Sequence, residues 1–177
     1  MSGFSRICRL LVIGGTSIIF LGMICFFAGG RFNSTRSIPV GLYWLTHAPV
    51  TKDAYVILCP PESALFDEAK ERGYISAGFC PGNYGFMMKR VLASANDRVE
   101  IAGEGVRING VPVPESASMK ADKAGRAMPL YPSGTYILRK SELLLMSDRS
   151  GNSFDGRYFG PVEFSQIRGV IRPVLTW

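Results

Sequence analysis

An uncharged stretch near the N-terminus constrains this chain more than any other feature of its sequence. From Leu10 to Gly30 it reads LLVIGGTSIIFLGMICFFAGG, without one charged residue. About twenty apolar residues in a helix, at about 1.5 Å per residue, are enough to cross a hydrocarbon core of roughly 30 Å. Arg6 and Arg9 precede the stretch, which favours a cytoplasmic N-terminus. We therefore expect everything after Arg31 to lie outside the cytoplasmic membrane.

Two interpretations of this stretch stay open. It is either a retained membrane anchor or a cleavable signal peptide, because Ala28, Gly29 and Gly30 supply small residues at a possible cleavage site. Both interpretations export the rest of the chain. We accordingly expect a membrane or signal segment over residues 1–30 and one folded domain over residues 31–177, long enough for a single hydrophobic core.

The exported region has the pattern of a β protein. Short apolar or aromatic runs bounded by turn residues predict strands, among them Leu42–Leu45, Tyr55–Leu58 and Leu143–Met146. Asn109-Gly110, between two such runs, predicts a two-residue hairpin. The sequence therefore predicts a mainly β fold, an antiparallel β-sandwich or partly closed barrel with a small helical insertion.

Cys59 and Cys80 bracket a segment in which residues recur at the helical spacings of three and four, namely Leu65, Phe66, Ala69 and Gly73. Pro60 and Pro61 can begin a helix there. Either the two cysteines form a disulfide around a helical excursion over residues 59–80, or they are two separately buried thiols. A disulfide there would remove roughly 3 kcal/mol of unfolded-chain entropy. With no CxxC pair and one histidine, the sequence predicts no metal site, and nothing in it calls for a cofactor.

The charge pattern argues against nucleic acid as a partner. The net charge is +6, but the lysines and arginines are scattered, without a basic stripe interleaved with aromatic residues. A mildly basic surface suits the anionic headgroups of a membrane equally well.

Three polar segments carry the candidate chemistry. Ser37 lies in RSIPVGLY, a few residues beyond the apolar stretch, and Lys89 interrupts the apolar run YGFMMKRVL. If Lys89 is buried rather than at a strand edge, burial lowers its pKa and makes its amine a usable general base. SDRSGNSFDGRYFGPV, over residues 147–162, is dense in hydrogen-bonding side chains. The single histidine, His47, beside a turn, fits an exposed loop residue better than a catalytic triad.

RSIPVGLY, MMKRVLASANDRVEI and SDRSGNSFDGRYFGPV, in this order after a membrane segment, resemble the bacterial type I signal peptidases, the serine-lysine leader peptidases. The resemblance covers nearly the whole chain and is greatest to the branch that serves plasmid conjugation. It implies a serine peptidase of the inner membrane whose folded domain faces the periplasm, or is released there if the N-terminal segment is cleaved.

The resemblance also implies roles for individual residues. Ser37 is the nucleophile and Lys89 the general base, and Ser153 orients the lysine. Asp155 and Arg157 form an ion pair that supports these residues. The Ser37 amide and the Thr35 hydroxyl bind the oxyanion.

The implied substrate is a pilin precursor or another exported peptide, with other conjugation proteins as possible partners. The implied reaction is cleavage through an acyl-enzyme, with cyclisation when the substrate's own amine replaces water. Ile38 stands where common leader peptidases have methionine, which favours the specialised branch. Two alternatives stay open, a general signal peptidase that removes leaders by hydrolysis and a non-catalytic, membrane-anchored scaffold of the conjugation apparatus.

Overall fold

A computed structural model describes residues 3–177 of the chain. Its first element is a 25-residue helix, α1 (Gly3–Phe27). Within α1, the stretch Ile7–Phe27 is long and apolar enough to cross a membrane, and none of it is buried against the rest of the protein. Because most apolar side chains of Ile7–Phe27 are exposed, the helix is compatible with membrane association.

The rest of the chain is mainly antiparallel β structure, which confirms the predicted fold class. The strands are β1 (Gly30–Asn33), β2 (Gly41–Thr46), β3 (Tyr55–Leu58), β4 (Ala77–Cys80), β5 (Met87–Ala93), β6 (Arg98–Ala102), β7 (Gly105–Ile108), β8 (Val111–Pro112), β9 (Gly134–Ile137), β10 (Glu142–Met146), β11 (Val162–Glu163) and β12 (Ile167–Thr176). Two short helices complete the fold, α2 (Ala64–Glu71) and α3 (Gly156–Phe159).

Eleven of these twelve strands form two open sheets, and β4 belongs to neither. The larger has the order β1-β2-β12-β3-β5-β10-β11 and the smaller the order β8-β7-β6-β9. The edge strands β1 and β11 of the larger sheet do not pair with each other, so the strands do not close into a barrel. The sequence predicted an antiparallel sandwich or a partly closed barrel, and the structure has this antiparallel β class without a closed barrel.

The predicted hairpin joins β7 to β8. Asn109 and Gly110 both have positive φ, at 52° and 82°. Two consecutive positive φ values characterise the tight hairpin turn whose twist matches that of the flanking strands, and asparagine and glycine adopt them most readily. Ile108 pairs with Val111 across this turn, as predicted.

The helical insertion lies between β3 and β4. Helix α2 begins after Ser63, whose side chain accepts a hydrogen bond from the Phe66 amide, and not at the two prolines. Phe66 and Ala69 on its inner face are buried in the main core, together with Val91 and Leu145 of the larger sheet. The insertion therefore packs as part of the domain.

Cys59 and Cys80 are joined by a disulfide across this insertion, with their Cα atoms 5.4 Å apart. The bridge closes a loop with a sequence separation of 21 residues.

Replacing both cysteines by serine is expected to lower the free energy of unfolding by about 3 kcal/mol, because the unfolded chain gains the entropy of an open loop. Denaturant unfolding followed by the fluorescence of Trp44 and Trp177 would measure the change. Equal midpoints for the double variant and the reduced wild-type protein are expected, and a double variant as stable as the oxidised protein would contradict the prediction.

Candidate active site

Ser37 lies in the loop between β1 and β2. Its neighbour Ile38 is fully buried in a small cluster with Tyr43 and Ile57. The hydroxyl of Tyr43 donates a hydrogen bond of 2.6 Å to the carbonyl of Pro39. Burial, with the nearby charge of Asp148, raises the pKa of Tyr43 to about 12, so this hydroxyl stays protonated and able to donate. Ile38 and Pro39 are thus held against the core of the domain, while Ser37 itself remains accessible.

Lys89 is buried because of its place in strand β5. Residues alternate between the two faces of a strand, and in β5 Met87, Lys89, Val91 and Ala93 all point to the buried face. The lysine side chain is only 4% exposed. Of the two placements that the sequence left open for Lys89, a strand edge and a buried position, the structure has the buried one.

The structure brings Ser37, Lys89 and Ser153 together from three separate elements. Lys89 Nζ lies 2.8 Å from Ser37 Oγ and 2.7 Å from Ser153 Oγ. The two serine oxygens are 3.0 Å apart. Among the described residues, no carboxylate lies within ion-pair distance of the Lys89 amine, so two hydroxyls form its polar surroundings.

Burial governs the protonation of this amine. Loss of solvation lowers the pKa of Lys89 from 10.5 to about 8; the Asp155 carboxylate opposes the shift, and the Arg157 charge adds to it. With that pKa, roughly one lysine in ten is neutral at pH 7, against fewer than one in a thousand for a free lysine. The site therefore holds a usable amount of free amine beside a hydroxyl.

Asp155 and Arg157 form a buried ion pair beneath the site, with Asp155 fully buried and Arg157 1% exposed. Asp155 Oδ1 accepts from Arg157 Nε at 2.8 Å, and Oδ2 accepts from a terminal guanidinium nitrogen at 2.8 Å. Asp155 Oδ2 also accepts from the Ser147 amide at 3.0 Å. Asp155 further caps α3, accepting from the Arg157 amide.

Arg157 connects this pair to the loop that carries Ser153. Its guanidinium donates to five backbone carbonyls, those of Glu115, Ala117, Ser150, Gly151 and Ser153. Because five carbonyls and a carboxylate surround one planar cation, the backbone of the loop has little freedom. Three of these carbonyls, those of Ser150, Gly151 and Ser153, lie in the loop whose Ser153 hydroxyl contacts Lys89, so the ion pair restrains that loop.

The two groups expected to bind an oxyanion differ in their availability. Within residues 3–177, the Ser37 amide donates to no protein group. The Thr35 hydroxyl instead donates to Asn33 Oδ1 at 2.9 Å. The Thr35 hydroxyl would therefore have to turn away from Asn33 before it could bind an oxyanion.

A groove runs past Ser37 and Lys89. Its cavity of about 420 Å³ is lined by the segments 32–35, 73–76 and 86–88 in addition to these two residues. A neighbouring cavity of about 380 Å³ shares Gly73 and Tyr74 as a wall and has Met119, Met128 and Phe154 among its lining residues. The groove therefore borders both Ser37 and Lys89 and is partly apolar.

Other candidate chemistry is not assembled in the described part of the chain. No group of three or more histidine, cysteine, aspartate or glutamate side chains there is arranged to hold a metal ion. His47 is exposed in the loop after β2.

Two residues that bear on the site were not singled out from the sequence, Asn33 and Tyr43. Asn33 is buried beside the Ser37 loop and Tyr43 supports it from below. An asparagine at the end of a strand, followed by Ser34 and Thr35, is a pattern typical of side-chain-stabilised turns, and this signal was available.

Comparison with known proteins establishes the class. The signal peptidase family, peptidase S26, matches residues 10–177, and the chain belongs to that family. The chain is 59% identical over 172 residues to a plasmid transfer protein TraF of Escherichia coli, covering 97% of both chains. It is 57% identical over 177 residues to another E. coli plasmid transfer protein TraF, covering all of both.

Two further similarities are to another relative and to a solved structure. A conjugal transfer protein TraF of Agrobacterium fabrum is 37% identical over 169 residues, covering 94% of this chain and 91% of that protein. A solved structure of a signal peptidase I from Enterococcus faecalis matches 72% of this chain and 100% of its own, with 16% identity and a TM-score of 0.41. The resemblance predicted from the three sequence motifs is confirmed by the family match and the TraF relatives.

Proposed function

We propose that this protein is a membrane-associated serine peptidase that processes the pilin precursor of a plasmid conjugation system through an acyl-enzyme on Ser37. One observation carries the proposal: a buried lysine amine, with no carboxylate partner among the described residues, lies 2.8 Å from the hydroxyl of an accessible serine. The family of peptidases and the relatives named for plasmid transfer support the choice of reaction and setting.

The first chemical step follows from this geometry. The neutral Lys89 amine accepts the proton of Ser37 Oγ as that oxygen attacks the peptide carbonyl. Ser153 Oγ accepts a hydrogen bond from Lys89 Nζ at 2.7 Å and keeps the amine directed at Ser37. The protonated lysine then returns its proton to the departing amine, which leaves the acyl group on Ser37.

The developing oxyanion needs donors already in place. The free amide of Ser37 supplies one, and Thr35 supplies a second once its hydroxyl turns away from Asn33. A well-placed oxyanion donor contributes about 3 to 4 kcal/mol to the transition state.

The acyl-enzyme can be resolved in two ways. Water gives a linear product, whereas the amine at the substrate's own N-terminus gives a ring that is lighter by one water. We propose the second route, because a tethered amine reaches a high effective concentration at an ester shielded in a groove. Hydrolysis by the same residues, as in a general signal peptidase, is the alternative.

We further propose that residues 1–30 form the membrane segment and that residues 31–177 form the peptidase domain on the periplasmic side. Arg6 and Arg9 favour a cytoplasmic N-terminus. Ser37 follows the end of α1 by ten residues, which keeps the site near the membrane surface. A precursor that is itself embedded in the membrane would reach it there.

The pH dependence of the reaction is a direct consequence of the buried lysine. We expect kcat/KM to rise with pH up to about pH 8 and to level off above it, because Lys89 must lose its proton to act as the base. Initial rates from about pH 6 to 10 on a precursor without titrating groups near the cleavage site would measure the profile. A rate that is flat between pH 6 and 8 would contradict the proposed role of Lys89.

The test of the function is the mass of the product. The full-length protein in vesicles is incubated with the pilin precursor, and the products are weighed by intact mass spectrometry. The proposal predicts a product one water lighter than the linear cleaved peptide. A linear product would support the hydrolase alternative, and no product would leave the scaffold alternative.

A further inference from the structure

Asn33 is a buried polar residue directly beside the proposed nucleophile. It is the last residue of β1 and only 4% exposed. Buried polar side chains are costly unless their hydrogen bonds are satisfied, so the partners of this amide indicate what it stabilises.

All the partners of the Asn33 side chain belong to the loop that carries Ser37. Its Nδ2 donates to the carbonyls of Thr35, Ile38 and Pro39, at 2.8, 3.0 and 3.0 Å. Its Oδ1 accepts from the amide of Thr35 at 3.1 Å and from the hydroxyl of Thr35 at 2.9 Å. One side chain therefore makes five contacts with a segment of five residues.

The orientation of the amide follows from these partners. Carbonyl oxygens only accept hydrogen bonds, so the nitrogen must face the three carbonyls and the oxygen must face the Thr35 amide. Thr35 lies on one side of Ser37, and Ile38 and Pro39 lie on the other. The amide thus draws together the two ends of a tight loop, with Ser37 at its apex.

We propose that Asn33 is a positioning residue for acylation, holding the loop so that Ser37 Oγ faces Lys89 Nζ and Thr35 stays at the edge of the groove. The inference rests on the proposed role of Ser37 as nucleophile. Asn33 belongs to the lining of the groove, but it is only 4% exposed, and the effect proposed for it is transmitted through the backbone on both sides of Ser37 and through Thr35.

The size of the expected effect follows from the distances in the site. The Ser37 hydroxyl lies within hydrogen-bond distance of both Lys89 and Ser153, at 2.8 and 3.0 Å. A shift of about 1 Å in a reacting group can lower the rate by about 100-fold. Without the five contacts of Asn33, the loop is still held on one side of Ser37 by the buried Ile38 and by the Tyr43 hydrogen bond to Pro39. The Thr35 side is then free to shift by this amount, whereas the substrate groove keeps most of its lining.

The experiment compares Asn33→Ala with Asn109→Ala in the full-length protein, using the same pilin precursor. Asn109 is a matched control, because its side chain also joins neighbouring segments, accepting from the Arg98 amide and donating to Asp97, but in the β7–β8 hairpin. Both variants are expected to lower the melting temperature. Asn33→Ala is expected to lower kcat by about 100-fold with KM within about threefold, and Asn109→Ala to leave kcat within about twofold.

A double-mutant cycle with Thr35→Val tests whether Asn33 acts through Thr35. Because Asn33 holds both the amide and the hydroxyl of Thr35, the loss in the double variant is expected to be smaller than the product of the single losses by about tenfold or more. A kcat of Asn33→Ala within about threefold of wild type, a kcat loss matched by Asn109→Ala, or fully multiplicative losses would overturn the inference. The two possible failures can be told apart. If the wild-type protein leaves the precursor intact, the proposed function is wrong. If the wild-type protein processes the precursor and Asn33→Ala does so at the same rate, only the role of Asn33 is wrong.

Discussion

Replacing Lys89 by methionine is expected to abolish processing of the precursor while raising the free energy of unfolding at neutral pH. Loss of the general base should lower kcat by about 10⁴-fold or more, since the nucleophile and base act as a unit. The gain in stability has a separate origin. A lysine whose pKa falls from 10.5 to about 8 on folding burdens the folded state by about 3 kcal/mol whenever the amine is charged.

The sign of the pH dependence makes this prediction specific. Between about pH 8 and 10.5 the unfolded chain binds a proton that the folded protein lacks, so the stability of the wild-type protein should rise with pH over this window. The methionine variant should lose this rise. We expect it to be more stable than wild type by about 1 to 3 kcal/mol at pH 7, the lower value allowing for the lost hydrogen bonds to Ser37 and Ser153.

Denaturant unfolding at pH 7 and at pH 10, in detergent, measures both effects. Lys140→Met is the control, because Lys140 is an exposed lysine in the turn before β10. It should change neither activity nor the pH dependence of stability. Two results would show that Lys89 is not the buried base. One is processing activity in Lys89→Met. The other is a change in the free energy of unfolding between pH 7 and pH 10 that is the same in Lys89→Met as in wild type.

Replacing Asp155 by asparagine is expected to lower both the free energy of unfolding and the processing activity. This change leaves the Arg157 charge buried without a counter-ion, which typically costs about 3 to 5 kcal/mol. The asparagine keeps an acceptor but also places an N–H group where the carboxylate now accepts from the Ser147 amide and Arg157. We expect a marked loss of stability, and a loss of processing because the Ser153 loop is no longer fixed beside Lys89.

A paired replacement separates charge from loop position. In Asp155→Leu/Arg157→Met both charges are absent, so the cost of an unpaired buried charge disappears. Only part of the stability should return, because the five carbonyls that accept from Arg157 lose their donor. Processing should stay low, because nothing then holds the carbonyls of the Ser153 loop. Stability of Asp155→Asn within about 1 kcal/mol of wild type, or full activity of the paired variant, would contradict the role given to this ion pair.

Most of the fold could be predicted from local patterns in the sequence. The alternation in β5 determines that Lys89 shares the buried face with Val91, and the Asn109-Gly110 turn determines the β7–β8 hairpin. The start of α2 was less well defined, because Ser63 offers a capping oxygen while the prolines only permit a helix. The choice between sandwich and barrel depends on whether edge strands meet, which no local pattern records.

The candidate site depends on contacts between distant segments. Ser37 and Ser153 are separated by 116 residues, and their hydroxyls are 3.0 Å apart. Strand and turn patterns do not encode such a meeting; the order of three motifs suggested it only through a family resemblance. The contribution of Asn33 was harder still to predict, because it depends on five hydrogen bonds that exist only once the loop has folded.

The central claim, acyl transfer by Ser37 with Lys89 as its base, is tested most directly by intact mass spectrometry of the full-length protein with its pilin precursor. Wild type and Ser37→Ala are compared at a pH of about 9, where Lys89 is largely neutral. We expect a processed product from wild type and none from Ser37→Ala, which should remain folded because a half-buried hydroxyl is all that it loses. The same product from Ser37→Ala at a comparable rate would rule out Ser37 as the nucleophile.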